Sequence, residues 1–433
     1  MIKKIFKKII VFLLRWEAKL ILRKYKPKIV GVTGTVGKTS AKEAIASVLS
    51  ADFYVRKSEK SYNSELGVPL TIIGAKSAWN NFFQWFLILF KGFKLIIAPY
   101  DYPQWLVLEM GVDRPKDMKK LVSYANPQIS VVTALAHVPV HIEYFKNAED
   151  LAREKMKIAR SLKENDHAIL NADDEMILAE KEKIKSKILT FGFSEKADLI
   201  ASDYYIVYRN EEGRDIPEGI TFKVTYKGNI IPVRIFNAFG KQFVYAVLAA
   251  LGTGIVLGMN LIEMTESLGR YQSPPGRLRL IEGIKNTYIL DDSYNASPVA
   301  ELAALEVLKD LPAKRKIAVL GDMLELGKFT IDEHKKIGRE VSKIADYLFT
   351  IGPRSKFIAE EARAEGFNEK KIFEFSSSDE AKLEIQKKIK EGDLILIKGS
   401  QSMRMEKIVE EIMAHPEDKE ELLVRQEKEW QNK

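Results

Sequence analysis

Short runs of branched apolar residues alternate with stretches of helical periodicity along most of the chain. Candidate strands fall at 30–33, 106–109, 129–135, 168–170 and 188–191, with helix patterns between them. That rhythm predicts an α/β fold with a mainly parallel sheet. Residues 200–236 break it: alternation at 204–208 and 219–226 predicts an antiparallel insertion or edge. After Pro274 and Pro275 a second α/β unit begins, with strands expected at 287–290, 316–320, 347–351 and 393–397. The organisation read from these patterns is an N-terminal helix at 1–27, a central α/β domain at 28–273 and a second α/β domain at 274–415. A charged tail at 416–433 is expected to fray or to form a solvated helix.

Two segments carry a different pattern. On a helical wheel Ile2, Ile5, Ile9, Phe12, Leu13, Trp16 and Leu20 share one side, and Lys3, Lys4, Lys7, Lys8, Arg15 and Lys19 the other. A basic face against a bulky apolar face with tryptophan is the pattern of a helix lying in a membrane interface. The alternative is a helix that packs its apolar face on the protein's own body. The uncharged run 9–14 is far shorter than the ~20 residues needed to span a bilayer, and no small-residue cleavage site follows it. In 78–100, Trp79, Phe82, Phe83, Phe86, Leu89, Phe90 and Phe93 recur at helical spacing. Its uncharged run, 77–90, is also too short to span. Core packing and membrane contact both fit this second stripe.

Charge and composition narrow the picture. The chain has 433 residues and a net charge of +8. Residues 1–28 hold ten Lys or Arg against Glu17 alone, a charge of +9, so the remainder carries −1. The basicity therefore belongs to one segment, and no nucleic-acid partner is expected for the body. The absence of cysteine excludes disulfides, thiolate metal sites, iron–sulfur clusters and a catalytic thiol, and it fits a reducing, cytoplasmic setting.

The strongest chemical motif follows the first predicted strand. Gly34-Thr-Val-Gly-Lys-Thr39 opens a helix pattern, so strand, glycine-rich turn and helix stand in the order of a phosphate-binding loop. Gly34 and Gly37 let backbone N–H groups, including that of Thr35, approach phosphate oxygens, and the helix start at Ser40 favours an anion. Lys38 brings a point charge to the β- and γ-phosphates, and the Thr39 hydroxyl is suited to Mg²⁺. The spacing is compact: the first glycine of the usual pattern would fall at Val32.

Together with five further stretches, this loop resembles the Mur ligases, the ADP-forming enzymes that build the peptidoglycan stem peptide. The stretches are 61–70 (SYNSELGVPL), 106–111 (LVLEMG), 291–298 (DDSYNASP) with 319–327 (VLGDMLELG), and 398–406 (KGSQSMRME). The C-terminal stretches are similar to the branch that joins D-alanyl-D-alanine to a muramoyl-tripeptide, and the similarity runs from about 28 to 415. The resemblance implies a P-loop central domain with a mainly parallel sheet, then a Rossmann-like C-terminal domain. It implies ATP and Mg²⁺, two ions being expected, with muramoyl-peptide and D-Ala-D-Ala as substrates.

Residue by residue, the resemblance makes Glu109 a Mg²⁺ ligand. His141 would stand near a second Mg²⁺. Lys155 would match a lysine that some members carbamoylate into a metal ligand. Lys38, His141 and Lys155 are thereby the candidate catalytic residues. The turn Asn171-Ala-Asp-Asp174 would lie near the nucleotide. Arg277 would contact ATP phosphates, while Asp292, Tyr294 and Asn295 would close over the nucleotide. Asn63, Lys398, Ser400 and Ser402 are the candidate substrate contacts. His334 also matches a family position, with a surface helix residue as the alternative.

The sequence departs from the family in three places. The P-loop strand starts near residue 28, so no counterpart of the family's N-terminal UDP-sugar domain is expected, and a basic amphipathic helix stands before the loop instead. Gln242, Phe243 and Ala246 occupy positions where the family has His and Asn beside adenine. Residues 72–105 form a long aromatic connection. Two other readings stay open on these grounds: a related ligase acting at the membrane on a lipid-linked muropeptide or another carboxylate–amine pair, and a membrane-associated ATP-binding protein with degenerate catalysis.

Overall fold

The structure, a computed structural model, describes residues 2–59, 62–79, 81–136, 138, 141–211 and 214–431, with the backbone alone at 2–5, 214, 428 and 431. Ser61 of the 61–70 stretch, Val140 beside His141 and residues 432–433 of the tail lie outside the described residues, as do the side chains of Ile2, Lys3, Lys4 and Ile5.

Two sheets form the frame. The first has nine strands in the order β2-β3-β1-β4-β5-β6-β7-β8-β9. They are β1 (Lys28–Thr33), β2 (Val55–Lys57), β3 (Trp105–Glu109), β4 (Ile129–Val132), β5 (His167–Asn171), β6 (Lys187–Gly192), β7 (Leu199–Glu211), β8 (Arg214–Tyr226) and β9 (Asn229–Phe236). From β2 to β7 the pairing is parallel; β8 and β9 are antiparallel, the edge expected from the alternation at 200–236. Among the described residues, nine helices accompany this sheet or precede it: α1 (Ile2–Tyr25), α2 (Lys38–Leu49), α3 (Gly67–Ile73), α4 (Phe82–Ile97), α5 (Asp117–Val122), α6 (Ala148–Arg160), α7 (Glu175–Leu178), α8 (Lys241–Val256) and α9 (Leu261–Gly269).

The second sheet runs β10-β11-β15-β12-β13-β14, parallel except where β10 meets β11. Its strands are β10 (Arg279–Gly283), β11 (Thr287–Asp292), β12 (Arg315–Gly321), β13 (Tyr347–Ile351), β14 (Ile372–Phe375) and β15 (Asp393–Lys398). The helices α10 (Pro298–Asp310), α11 (Thr330–Ser342), α12 (Lys356–Ala364), α13 (Ser378–Lys388) and α14 (Glu406–Ile412) follow in order.

The apolar runs become strands because both faces of these parallel sheets are covered. β3 and β15 are buried at every position, as strands between helix layers must be. The patterning missed β2, β10 and β14, which are short or lie at sheet edges, where burial and so the apolar run is incomplete. The run at 129–135 is a strand only to Val132. There the Thr133 N–H still bonds the Thr33 carbonyl at 3.0 Å, and its hydroxyl goes to the carbonyl of Val36, at 2.6 Å, in the glycine-rich loop.

Both membrane-like segments are helices, and each packs by a face other than the predicted stripe. α1 buries Ile10, Leu14, Ala18 and Ile21 and leaves Ile9, Phe12 and Trp16 exposed. α4 buries Trp85, Ile88, Gly92 and Leu95 and leaves Phe82, Phe83, Phe86, Leu87, Phe90, Phe93 and Ile97 exposed. The two helices run parallel, side by side. Phe6 meets Phe82 with ring centres 4.5 Å apart, Glu17 abuts Gly92, and Lys24 donates to the carbonyls of Leu95 and Ile96 at the end of α4. Among the described residues, no helix is long and apolar enough to cross a membrane.

The tail is not a solvated helix. Two short turns, α15 (Lys419–Leu422) and α16 (Lys428–Gln431), lie against the second sheet's domain. Leu423 is buried, and Arg425 bridges Glu406 Oε2 at 2.7 Å and the Ser293 carbonyl at 2.6 Å. One buried guanidinium with a carboxylate and carbonyls to satisfy it overrides the charged composition.

Glu17 generates a stability prediction. Its carboxyl is buried between α1 and α4, and burial pushes its pKa up to about 7. A carboxyl whose folded pKa is raised costs nothing below the unfolded value near 4.5 and costs most above 7. Glu17→Gln should therefore raise the melting temperature at pH 8, by a free energy of up to about 3 kcal/mol, and leave it unchanged near pH 4. Scanning calorimetry of both proteins at the two pH values checks this.

Candidate active site

β1 lies between β3 and β4, so the chain leaves it toward both sides of the sheet. The carboxyl ends of strands at such a reversal leave a crevice where ligands of open α/β sheets gather. The glycine-rich loop fills this crevice. Gly34 and Gly37 have φ of 150° and 83°, and a Cβ on Gly34 would stand 2.1 Å from the Thr133 hydroxyl. Only glycine fits there. The loop delivers the chain into the N-terminus of α2 at Lys38.

Around this loop the structure opens a cavity of about 550 Å³, within the range of small-molecule sites. The first sheet supplies Gly34, Thr35, Gly37, Lys38, Thr39, Ser40, Asn63, Glu109, His141 and Lys155 to its wall. Arg277, Tyr294, Asn295, Ser400 and Ser402 come from the second domain. The carboxyl ends of the two sheets thus face one another across the cavity.

The best-defined contact set centres on Glu109. The Thr39 hydroxyl donates to Glu109 Oε2 at 3.1 Å, and the Asn63 amide donates to Oε1 at 3.1 Å. Behind it, Glu109 N–H reaches the Ser58 hydroxyl at 3.3 Å, and the buried Lys42 ammonium holds the Ser58 carbonyl at 2.6 Å. Arg277 extends from the second domain to Thr39, at 3.4 Å, and its guanidinium lies 4.1 Å from the centre of the Tyr294 ring.

Lys38 and Lys155 are both held below the usual lysine pKa by burial. For Lys155 the nearby Lys38 charge lowers it further. Lys155 donates to the Gly34 carbonyl at 3.1 Å and the Thr35 hydroxyl at 2.9 Å, so it braces the loop. His141, with φ 69°, has Nδ1 2.7 Å from Glu325 and Nε2 3.3 Å from Asp113. This cluster again joins the two domains, since Glu325 follows β12. Asn171 donates to the Thr133 carbonyl at 2.8 Å, and the Asp174 carboxylate takes the Leu135 N–H. That turn supports the loop from behind.

Two candidates stand apart from the wall. Asp292 and Lys398 end the paired strands β11 and β15 and form a buried ion pair at 2.6 Å. Lys398 also donates to the Asn295 carbonyl at 2.8 Å. Burial raises the pKa of Asp292, and Lys398 pulls it back. Gln242, Phe243 and Ala246 do not face the cavity. Phe243 and Ala246 are core residues, and the Gln242 amide caps the Phe239 carbonyl at 3.1 Å. His334 is fully buried rather than on the surface. Its Nε2 accepts from Met323 N–H at 3.0 Å and its Nδ1 faces the Thr330 carbonyl at 2.6 Å. A neutral ring in that tautomer fixes the loop carrying Glu325.

Several participants were given no role from the sequence, although Asp322 and Glu325 lie in the 319–327 stretch. Asp113 and Glu325 need the fold to bring them to His141. Asp322 gathers the N–H groups of Arg354 and Ser355 at 2.9 and 2.7 Å, and its carbonyl accepts from Ser400 at 3.0 Å. The Gly321-Asp322 step at the end of β12 was the available signal, as a strand end in the second sheet.

Comparisons with known proteins bear on the family and the fold. Models of the Mur ligase middle domain and of the Mur ligase glutamate ligase domain match residues 94–254 and 276–401. A Bacillus subtilis UDP-N-acetylmuramoyl-tripeptide–D-alanyl-D-alanine ligase is 29% identical over 402 residues, 92% of this chain and 79% of the relative. The Escherichia coli ligase of that name is 29% identical over 387 residues, covering 88% and 76%. The structure of MurF from Thermotoga maritima in complex with ADP superposes with a TM-score of 0.74 at 26% identity, covering 93% of this chain and 83% of that one.

Lys398 separates a structural role from substrate contact. Lys398→Met leaves the Asp292 carboxylate buried without its ion pair, and should destabilise the protein by about 3 kcal/mol. Adding Asp292→Asn should recover part of that loss. Urea unfolding of the single and double variants measures both, whereas a lysine that only touched substrate would leave stability unchanged.

Proposed function

As the chain belongs to the Mur ligase family, we propose that it is an ATP-dependent, ADP-forming ligase that joins D-alanyl-D-alanine to a muramoyl-tripeptide in peptidoglycan precursor synthesis. The observation that carries this reading is the Lys38–Thr39–Glu109–Asn63 constellation around a glycine-rich loop, facing Arg277 across the cavity. It is supported by relatives of that name spanning most of the chain.

In this reading the loop N–H groups, the start of α2 and Lys38 hold the ATP phosphates. The substrate carboxylate attacks the γ-phosphorus, the bond to the β-phosphate oxygen breaks, and ADP leaves. The free amine of D-alanyl-D-alanine then attacks the acyl phosphate carbonyl. A proton leaves the nitrogen, the tetrahedral intermediate expels phosphate, and the amide remains. Both steps concentrate negative charge, so fixed cations and N–H dipoles in a closed cleft are what the chemistry requires. Arg277 and the residues Tyr294 and Asn295 bring the second domain onto the nucleotide. Asn63, Ser400 and Ser402 line the same cavity and would contact the acceptor and the dipeptide.

The donor set also fits Mg²⁺. The Thr39 hydroxyl and the Glu109 carboxylate are hard oxygens on one side of the phosphate loop, and phosphate oxygens and water complete the preference of this ion. Bound there, Mg²⁺ would neutralise phosphate charge. A second ion would fall to His141, whose two ring nitrogens now face Glu325 and Asp113. Lys155 would join it only as a carbamate, because its free amine is already committed to the loop. ATP and the peptide precursors put the reaction on the cytoplasmic side.

ADP release by the purified protein with Mg-ATP, UDP-linked muramoyl-tripeptide and D-alanyl-D-alanine tests the assignment. Release should depend on the dipeptide, and Lys38→Met and Glu109→Gln should each lower kcat/KM by roughly 10²–10³-fold. Dipeptide-independent release, or full activity in Lys38→Met, would overturn it.

A further inference from the structure

α1 and α4 each present two apolar faces, and the fold uses only one. The inner faces hold the pair to the body. The outer faces stay open, with Phe12 and Trp16 on α1 and Phe83, Phe86, Phe90 and Phe93 on α4. Phe12, Phe83 and Phe86 are 67%, 69% and 64% exposed. A monomer does not expose this many large aromatic side chains on two neighbouring helices without a partner for them.

We propose that these outer faces together form a docking surface for an anionic phospholipid bilayer, on which the protein lies without crossing it. Three observations point to lipid. The helices run parallel with their seam closed by the Phe6–Phe82, Glu17–Gly92 and Lys24 contacts, so the two outer faces belong to one packed helix pair. Cations border the apolar area. Lys8, Lys19 and Arg23 on α1 and Lys91 and Lys94 on α4 are exposed, and Lys94 arches over the Phe90 ring with its ammonium 4.7 Å from the centre. A lysine stem laid over an aromatic ring with its charge at the rim suits the level of lipid headgroups. Finally, the charge of +9 in residues 1–28 stands against −1 for the rest of the chain. An anionic surface is attracted most strongly to that segment. A second copy docking through the same face would set two such segments against each other, which disfavours self-association.

The test is sedimentation of the full-length protein with vesicles of phosphatidylcholine alone or of equal parts phosphatidylcholine and phosphatidylglycerol. The protein should pellet with the anionic vesicles, less at high salt. Phe86→Ser with Phe90→Ser should lower the partition coefficient at least about tenfold, while circular dichroism and ADP affinity stay as in the parent. Lys8→Glu with Lys19→Glu should remove the preference for anionic lipid. Equal sedimentation with and without vesicles would overturn the proposal. So would a dimer in light scattering that the Phe86/Phe90 substitutions dissolve, since the face would then be an interface between copies.

Discussion

The hydrogen bond between the Thr39 hydroxyl and the Glu109 carboxylate is the point on which the site turns. It ties the start of α2 to the end of β3, two elements that meet only because β1 and β3 are neighbours in the sheet. Asn63 fixes the other carboxylate oxygen, and Lys42 with Ser58 fixes the backbone behind it. A buried carboxylate held this way presents oriented oxygen donors with little reorganisation left to do, which is how a preorganised site lowers a barrier. The glycines answer the same constraint from the other side. Thr133 packs so close to Gly34 that the loop has room for phosphate but none for a Cβ.

The second domain makes this loop into a cleft. Arg277 reaches Thr39, and Glu325 reaches His141. Each contact links a residue after the boundary near Ser273 to one before it. The supports are rigid: the Asp292–Lys398 pair and His334 are buried beneath the surface they shape. The side chains that meet the cavity therefore stand on strand ends and braced turns rather than on free loops, as precise chemistry requires.

Much of this was legible in the sequence, for specific reasons. Parallel strands buried on both faces write continuous apolar runs, so β1, β3, β5, β12, β13 and β15 could be read, and the glycine-rich loop announces itself by its flanks. Short edge strands lack that signal, and β2, β10 and β14 went unread. The site set assembled from motifs falls mostly on one cavity, yet Lys398 and Asp292 lie under its wall and Asp113 and Glu325 needed the fold to reach His141. For α1 and α4 the apolar stripes were read, but which face packs inward was not. Both sides of each helix are apolar, and periodicity alone does not rank them. Arg425 defeated a compositional reading of the tail, because one buried ion pair outweighs a run of charged neighbours.

The central claim is that this cleft activates a carboxylate by transferring phosphate to it before an amine arrives. Isotope transfer tests that step most directly. With ¹⁸O in the acceptor carboxylate of the muramoyl-tripeptide, turnover in unlabelled water should deliver one labelled oxygen to each inorganic phosphate released, read by mass spectrometry. Phosphate without label, alongside ADP and the amide product, would contradict the account.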